Sequence, residues 1–176
     1  WLPNAYTYAP SAITSFLAAT ATKVAIYVML RFLFSVFQPG FLAEVPTLDL
    51  ILYPFAILAM FAASYTAILQ RDLKRMLAYS SIGQVGYMLL GVALLSKSGL
   101  MATMIHLFNH GITKAALFMG VGVYVLNGGG SFYHNLRGRG KTMPWTSAAM
   151  VVAGLSLIGV PGTAGFLSKW LLVEAA

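Results

Sequence analysis

The chain has 176 residues, of which 59% are hydrophobic and only 9% are charged, and its mean hydropathy is +0.80. Soluble domains usually carry about 25% charged residues, so this composition excludes an ordinary water-soluble domain and indicates a protein surrounded mostly by lipid. The absence of cysteine excludes disulfides, thiolate catalysis and cysteine-ligated metals within this chain, and the net charge of +7 is expected to reflect membrane topology rather than nucleic-acid binding.

Five segments are long and apolar enough to span a membrane as helices. A bilayer core about 30 Å thick requires roughly 20 apolar residues of helix, and the alternating pattern of membrane β-strands is absent. The sequence therefore predicts an all-α, polytopic fold with one transmembrane domain over residues 1–176, as an internal part of a larger subunit. The predicted spans are about 11–36, 48–70, 76–95, 99–126 and 144–175.

The first predicted span carries a lysine near its centre. Lys23 lies about 18 Å into a helix that begins after Pro10, at 1.5 Å per residue. Thr20 and Tyr27 lie on the same helical face. A charge in the hydrocarbon costs at least about 2.5–3.5 kcal/mol on insertion scales, so this position indicates a function for Lys23.

The third predicted span follows a basic link, RDLKR at 71–75, and has a polar face of its own. Lys74 in this link and Lys97 near the next one are expected to extend to the membrane surface, as lysines at helix ends usually do. The polar face is predicted to support the charged residues of the neighbouring spans. Its members are Ser80, Ser81, Gln84 and Tyr87.

The fourth predicted span places His106, His110 and Lys114 four residues apart on one helical face. A lysine removed from water holds its proton less tightly, and histidine titrates near neutral pH. This face is therefore typical of a proton relay, although each histidine taken alone is also consistent with helix packing. Zinc binding is not expected, because no HExxH pattern and no third ligand accompany the two histidines.

The fifth predicted span is interrupted in its middle. Pro161 and Gly162 lie in the stretch SLIGVPGTAGFLSKW, where proline removes a backbone donor and clashes with the preceding turn. Such breaks occur at membrane depth where protein or water satisfies the freed groups, and transporters use them to direct helix ends at ions. The nearby Lys169 favours a functional break over a simple proline kink.

The basic residues predict the orientation in the membrane. The links 71–75 and 127–143 fall on one side and the opposite side has Arg31 and Lys97, with Glu44 nearby. Because Lys and Arg are enriched in cytoplasmic loops, both links are predicted to be cytoplasmic. The basic residues of these links are Arg71, Lys74, Arg75, Arg137, Arg139 and Lys141.

Several stretches occur in the order that characterises a known family. They are WLPNAY, APS, TKVAIYVMLR, DLKRMLAYSSIGQVGY, HLFNHGITKAALFMGVG and GVPGTAGFLSK. Over essentially its whole length, the chain resembles the antiporter-like membrane subunits of respiratory complex I and of Mrp-type cation/proton antiporters. Within that family, LRGRGKTMPWT followed by GLSLIGVPGTAGFLSKW is most similar to the D-type antiporter subunit. Complex I and membrane-bound hydrogenase subunits share much of this pattern.

The resemblance implies a whole protein of about fourteen transmembrane helices that contains two inverted repeats. It also implies that this protein lies in the cytoplasmic membrane of a bacterium or archaeon. Lys23 would then be the family's central lysine in the second repeat. Lys114, with His110 and His106, would form the relay on the following polar helix. Lys169 would be the lysine of the discontinuous helix, which leads to the outward exit. The family's glutamate and its partner lysine would lie upstream of this chain, so the chain alone is not expected to transport.

The residues and the resemblance together predict a proton-translocating membrane subunit of a multisubunit Na⁺ or K⁺/proton antiporter. The alternative is a proton-pumping subunit of an NADH:quinone oxidoreductase or a membrane-bound hydrogenase. An inert membrane anchor of a redox complex and a lysine-lined anion pathway are further alternatives. Expected partners are other membrane subunits of the same complex, protons, Na⁺ or K⁺, and the lipid bilayer, but no nucleic acid. No cofactor or redox centre is expected in this subunit, even within an enzyme of the NADH:quinone oxidoreductase type.

Overall fold

A computed structural model of the chain describes residues 1–37, 48–128 and 130–176. Within these ranges every named element is a helix, so the chain is all-α, as predicted. Glu44, which the sequence places on the outer side, lies outside the described residues. The helices are α1 (Leu2–Tyr8), α2 (Ser11–Arg31, continued by a π-helical turn over Phe32–Val36), α3 (Leu48–Ile68), α4 (Leu73–Ala93), α5 (Lys97–Gly128), α6 (Tyr133–Leu136), α7 (Arg139–Thr142), α8 (Pro144–Ile158) and α9 (Ala164–Ala175).

Four of these helices are long and apolar enough to cross a membrane: α2 with its π-helical turn, α3, α4 and α5. The fifth predicted span consists instead of two shorter helices, α8 and α9, with a break at 159–163 between them. Gly159 and Gly162 have φ angles of +92° and +90°. Other L-residues adopt this left-handed conformation only at a cost, so the two glycines and the intervening Pro161 end α8. The predicted discontinuity is confirmed.

The start of α4 differs from the sequence-based expectation. Asp72 caps the helix by accepting a hydrogen bond from the Arg75 backbone N–H at 3.0 Å, as N-terminal aspartates commonly do. Lys74 therefore lies inside the helix rather than in a link. Its side chain is buried, and Nζ donates to the Ala9 carbonyl oxygen at 3.2 Å. The prediction that Lys74 extends to the membrane surface is wrong, because the joint between α1 and α2 covers it.

The two loops that were predicted to share one side of the membrane lie next to each other. The Leu73 N–H donates to the Ser131 carbonyl at 2.9 Å, and the Tyr133 N–H donates to the Arg71 carbonyl at 3.2 Å. The Ser131 hydroxyl also donates to the Asp72 carboxylate. These bonds tie the start of α4 to the segment that follows α5.

The long helix α5 lies at the centre of the arrangement. It packs against α2, α4, α8 and α9, while α3 packs along the far side of α4. A hydrophobic cluster joins α1, α2, α4, α5 and α8, with Tyr6 and Phe118 in edge-to-face contact at 5.5 Å between ring centroids. Polar residues of α5 are thereby brought against polar residues of α4 and α9.

Candidate functional site

Lys114 on α5 is a fully buried charged side chain, with 0% of its surface exposed. Its Nζ atom donates to the Leu77 carbonyl oxygen at 2.7 Å and to the Ser80 hydroxyl at 2.5 Å, both on α4. The Ser81 hydroxyl donates to the same Leu77 carbonyl at 3.1 Å. A buried ammonium is tolerated only if polar atoms replace its water, and here neutral oxygens of α4 do so.

His110 is buried one helical turn before Lys114, and among the described residues neither of its ring nitrogens has a hydrogen-bond partner. Buried polar groups are rarely left unpaired in native proteins, and each case requires an explanation. A cavity of about 10 Å³ adjoins this imidazole, which is about the space that one water molecule needs. The lining residues are Gln84, His106, Asn109, His110, Thr113, Ser156, Leu157 and Gly165.

His106 lies one turn before His110 on α5, and its side chain connects α5 to α4 and α9. Its Nδ1 atom is 2.9 Å from the Ser168 hydroxyl on α9, and its Nε2 atom is 2.9 Å from the Gln84 side-chain oxygen on α4. The His106 and His110 rings are parallel within 5°, with centroids 6.1 Å apart. This spacing follows from the pitch of the helix, about 5.4 Å.

Lys169 on α9 bridges the break between the two short helices. Its Nζ atom donates to the carbonyl oxygens of Leu157 and Ile158 at 3.0 Å each, and it lies 4.9 Å from the centre of the Tyr87 ring. The last carbonyls of a helix lack intrahelical partners and carry partial negative charge. The end of α8 thus stabilises the ammonium of Lys169.

The start of α9 is held in place by α5 and α8. The Asn109 side chain donates to the Ala164 carbonyl at 2.8 Å, and the Gly165 N–H donates to the Ser156 hydroxyl at 3.2 Å. A Cβ atom on Gly165 would overlap the Ser156 carbonyl oxygen, so glycine permits this close contact. Pro161 and Gly162 are exposed within the break itself.

Lys23 is buried on α2 at its contact with α5. Its Nζ atom donates to the Ala18 carbonyl of its own helix. Gly111 of α5 adjoins this side chain: a Cβ atom there would lie at an ordinary contact distance of 3.8 Å from Lys23 Cε, and 3.3 Å from the Ala19 carbonyl oxygen. The Thr20 hydroxyl bonds to the Phe16 carbonyl, and Tyr27 is 46% exposed. Thr20 and Tyr27, which share a helical face with Lys23, are therefore not buried together with it.

The structure brings the predicted ionisable residues into one region, here called the buried row. It consists of Lys23, Lys114, His110, His106 and Lys169. The predicted supporting residues Ser80, Ser81 and Gln84 line it from α4. Ser168 and Ser156 were missed by sequence reasoning, since an isolated serine in an apolar helix carries no distinguishing pattern. Lys74 is a further buried lysine, about one turn before Leu77 on α4, and the sequence-based prediction that it extends to the membrane surface missed its burial.

The chain is similar to several known membrane proteins. The family described as NADH:quinone oxidoreductase/Mrp antiporter, transmembrane, matches residues 1–176. The N subunit of an NADH-quinone oxidoreductase from Desulforudis audaxviator is 42% identical over 98% of this chain and 34% of its own length. The D subunit of a Na⁺/H⁺ antiporter from Alkalihalophilus pseudofirmus is 36% identical over 100% of this chain and 35% of its own length.

A solved structure shows the same similarity in three dimensions. The archaeal membrane-bound sulfane sulfur reductase, a respiratory membrane complex, contains a chain that superimposes with a TM-score of 0.89 at 37% identity. The superposition covers 100% of this chain and 36% of that one. The chain spans about a third of the length of the curated relatives that it matches. Because the family matches every residue of the sequence, this chain belongs to the NADH:quinone oxidoreductase/Mrp antiporter family of transmembrane proteins.

Proposed function

We propose that the chain is the part of a proton-translocating membrane subunit in which the buried row carries the protons. The observation that carries this proposal is the environment of Lys114. Its ammonium is fully buried, and its hydrogen-bond partners are a carbonyl and a hydroxyl rather than a carboxylate. A permanently charged side chain without a carboxylate partner would destabilise this buried position. A lysine that gains and loses a proton is charged only part of the time, and proton transport would explain its presence.

The partners of Lys114 suit both of its protonation states. The Leu77 carbonyl can only accept a hydrogen bond, so it favours the ammonium. The Ser80 hydroxyl accepts from Lys114 while it donates to the Leu77 carbonyl at 2.9 Å. A hydroxyl both donates and accepts, so by turning away from Leu77 it can donate to a neutral amine. Lys114 can therefore remain hydrogen-bonded before and after it releases a proton.

The histidines extend this path along α5. Within the part of the chain that the structure describes, both ring nitrogens of His110 lack partners, and the imidazole adjoins a cavity of about 10 Å³. A single water molecule in that cavity would give His110 a route for a proton towards His106. From His106 the row continues to α9, where Lys169 lies at the helix break. Lys23 lies on α2, where this helix packs against α5 beside Gly111.

We base our proposals for the partner subunits and for the exchanged ion on the relatives of this chain. The similarity to the D subunit of a Na⁺/H⁺ antiporter and the LRGRGKTMPWT stretch support a monovalent cation/proton antiporter built with other membrane subunits. The similarity to the N subunit of an NADH-quinone oxidoreductase supports a redox-driven proton pump instead. In either case the oxidation chemistry, where there is any, would belong to other subunits.

The test uses the complete protein in its assembled complex in everted membrane vesicles. Dissipation of a respiratory ΔpH on adding NaCl or KCl would indicate an antiporter. Formation of ΔpH that depends on the electron donor of the same complex would indicate a redox pump. Under both schemes Lys23→Met should lose most proton movement per assembled complex. The matched control is Lys97→Met, which removes an exposed lysine at the start of α5 and should leave transport unchanged.

The inert-anchor alternative predicts a different result. If the polar residues only packed helices, exchanging Lys23 for a hydrocarbon of similar length would be tolerated or even stabilising. Transport by Lys23→Met at the level of Lys97→Met would therefore overturn the proposed function.

A further inference from the structure

Ser168 is a fully buried residue of α9 whose hydroxyl lies between two groups. Its Oγ atom is 2.9 Å from His106 Nδ1 and 3.0 Å from the carbonyl oxygen of Gly165. On the other side of the imidazole, the Gln84 side-chain oxygen is 2.9 Å from Nε2. Both ring nitrogens of His106 are thus held by groups that can donate as well as accept hydrogen bonds.

The hydroxyl has a single proton, so it can donate to only one of its two neighbours at a time. When His106 Nδ1 carries a proton, Ser168 accepts from it and donates to Gly165. When Nδ1 is bare, Ser168 can satisfy it only by turning its proton away from Gly165. The Gln84 amide can respond in the same way at Nε2 by rotating, because its oxygen accepts and its nitrogen donates.

The carbonyl oxygen of Gly165, to which Ser168 donates, lies close to the break between α8 and α9. Gly165 is the second residue of α9, and its backbone meets Ser156 of α8 so closely that a Cβ atom would not fit. Its N–H already donates to the Ser156 hydroxyl. The Ser168 hydroxyl is therefore placed between an imidazole of the buried row and the point where α9 packs on α8.

We infer that Ser168 is a positioning residue for His106, whose hydroxyl turns between the Gly165 carbonyl and Nδ1 as the imidazole gains and loses its proton. This inference rests on the proposed proton transport. Ser168 takes up and releases no net proton itself. It keeps Nδ1 paired in every protonation state, and it links that state to the first turn of α9.

The experiment compares Ser168→Ala with Ser168→Thr in the complete protein within its complex. Proton movement in everted vesicles is measured on adding NaCl, KCl or the electron donor, and it is divided by the amount of assembled complex. Ser168→Ala should lower this rate about tenfold or more, the size expected when a hydrogen bond to a charged group is lost. Ser168→Thr keeps the hydroxyl and should retain at least about half of the rate.

A packing role for Ser168 gives the opposite order. At a position with 0% exposure, the extra methyl of threonine overfills the site, whereas alanine removes only one atom, so packing makes Ser168→Thr the worse variant. If Ser168→Thr does not assemble, Ser168→Cys replaces it. The weak thiol donor should then give an intermediate rate, and a wild-type rate would overturn the inference.

Two controls separate the possible failures. Ser147→Ala removes a hydroxyl of α8 that bonds to Tyr124 and to the Met143 carbonyl, outside the buried row, and it should reduce the rate far less than Ser168→Ala. Lys114→Met tests the proposed function itself. If Lys114→Met abolishes transport while Ser168→Ala has a wild-type rate, only the inference about Ser168 fails. If Lys114→Met transports normally, the proposed function fails and the inference fails with it.

Discussion

The ammonium of Lys169 donates to the carbonyl oxygen of Ile158 at 3.0 Å, across the break between α8 and α9. Ile158 is the last residue of α8, so its carbonyl is free of intrahelical bonding. The interruption thus creates the acceptor that the lysine uses. The two features belong together, and small changes in the break are expected to affect Lys169 directly.

The first prediction compares two glycines of the break. Gly159→Ala and Gly162→Ala each force alanine into a left-handed conformation, which costs about 1–2 kcal/mol. Only at Gly159 does the new Cβ atom approach Lys169, at 3.0 Å from Cδ, whereas at Gly162 nothing lies within 4 Å. Both variants should lower thermal stability by similar amounts, and Gly159→Ala should lower proton movement several-fold more.

Gly162→Ala therefore serves as the control for backbone strain. Equal transport by the two alanine variants, at equal amounts of assembled complex, would show that the position of Lys169 does not matter for proton movement.

The second prediction concerns the contact between α8 and α9. Gly165→Ala introduces a Cβ atom where the Ser156 carbonyl oxygen lies, and such overpacking typically costs about 1–3 kcal/mol. The thermal stability of the purified complex should fall accordingly. Gly154→Ala on α8 is the matched control, since its Cβ atom would meet nothing within 4 Å. A Gly165→Ala complex as stable as the Gly154→Ala complex would contradict the close packing described here.

The third prediction concerns orientation in the membrane. The links 71–75 and 127–143 are predicted to be cytoplasmic, because Lys and Arg are enriched there. Lys141→Cys and Ser98→Cys place single thiols at exposed positions near opposite ends of α5. An impermeant thiol reagent added to intact cells should label Ser98→Cys and spare Lys141→Cys. The reverse pattern would invert the predicted topology.

Much of the fold could be predicted from hydropathy and helix-breaking residues. The predicted break in the fifth span was found because Pro161 and Gly162 interrupt an apolar run. The sequence did not reveal that Gly159 also has a positive φ angle, since glycine alone does not specify its backbone conformation. Nor could it locate the start of α4, because the role of Asp72 as a helix cap became clear only from its hydrogen bond to Arg75.

The site was predictable only in part, for a similar physical reason. A lysine or histidine in an apolar helix stands out by its cost in lipid, so Lys23, Lys114 and the histidines could be selected from sequence as candidates, and the structure shows that they are buried. Ser168 carries no charge, and its position became informative only when the fold placed it beside His106. Lys74 was assigned to the membrane surface because burial by α1 and α2 cannot be inferred from a basic link.

The measurement that tests the proposed relay most directly is proton movement by Lys114→Met in the complete, assembled complex. Methionine has a similar length and removes the titratable group while keeping most of the packing, so assembly should persist. Lys114→Arg retains the charge, but arginine does not release its proton in proteins, and this variant should fail as well. We expect both variants to lose most ΔpH-coupled transport in everted vesicles. Transport at the wild-type rate by assembled Lys114→Met would contradict a proton-carrying role for the buried row.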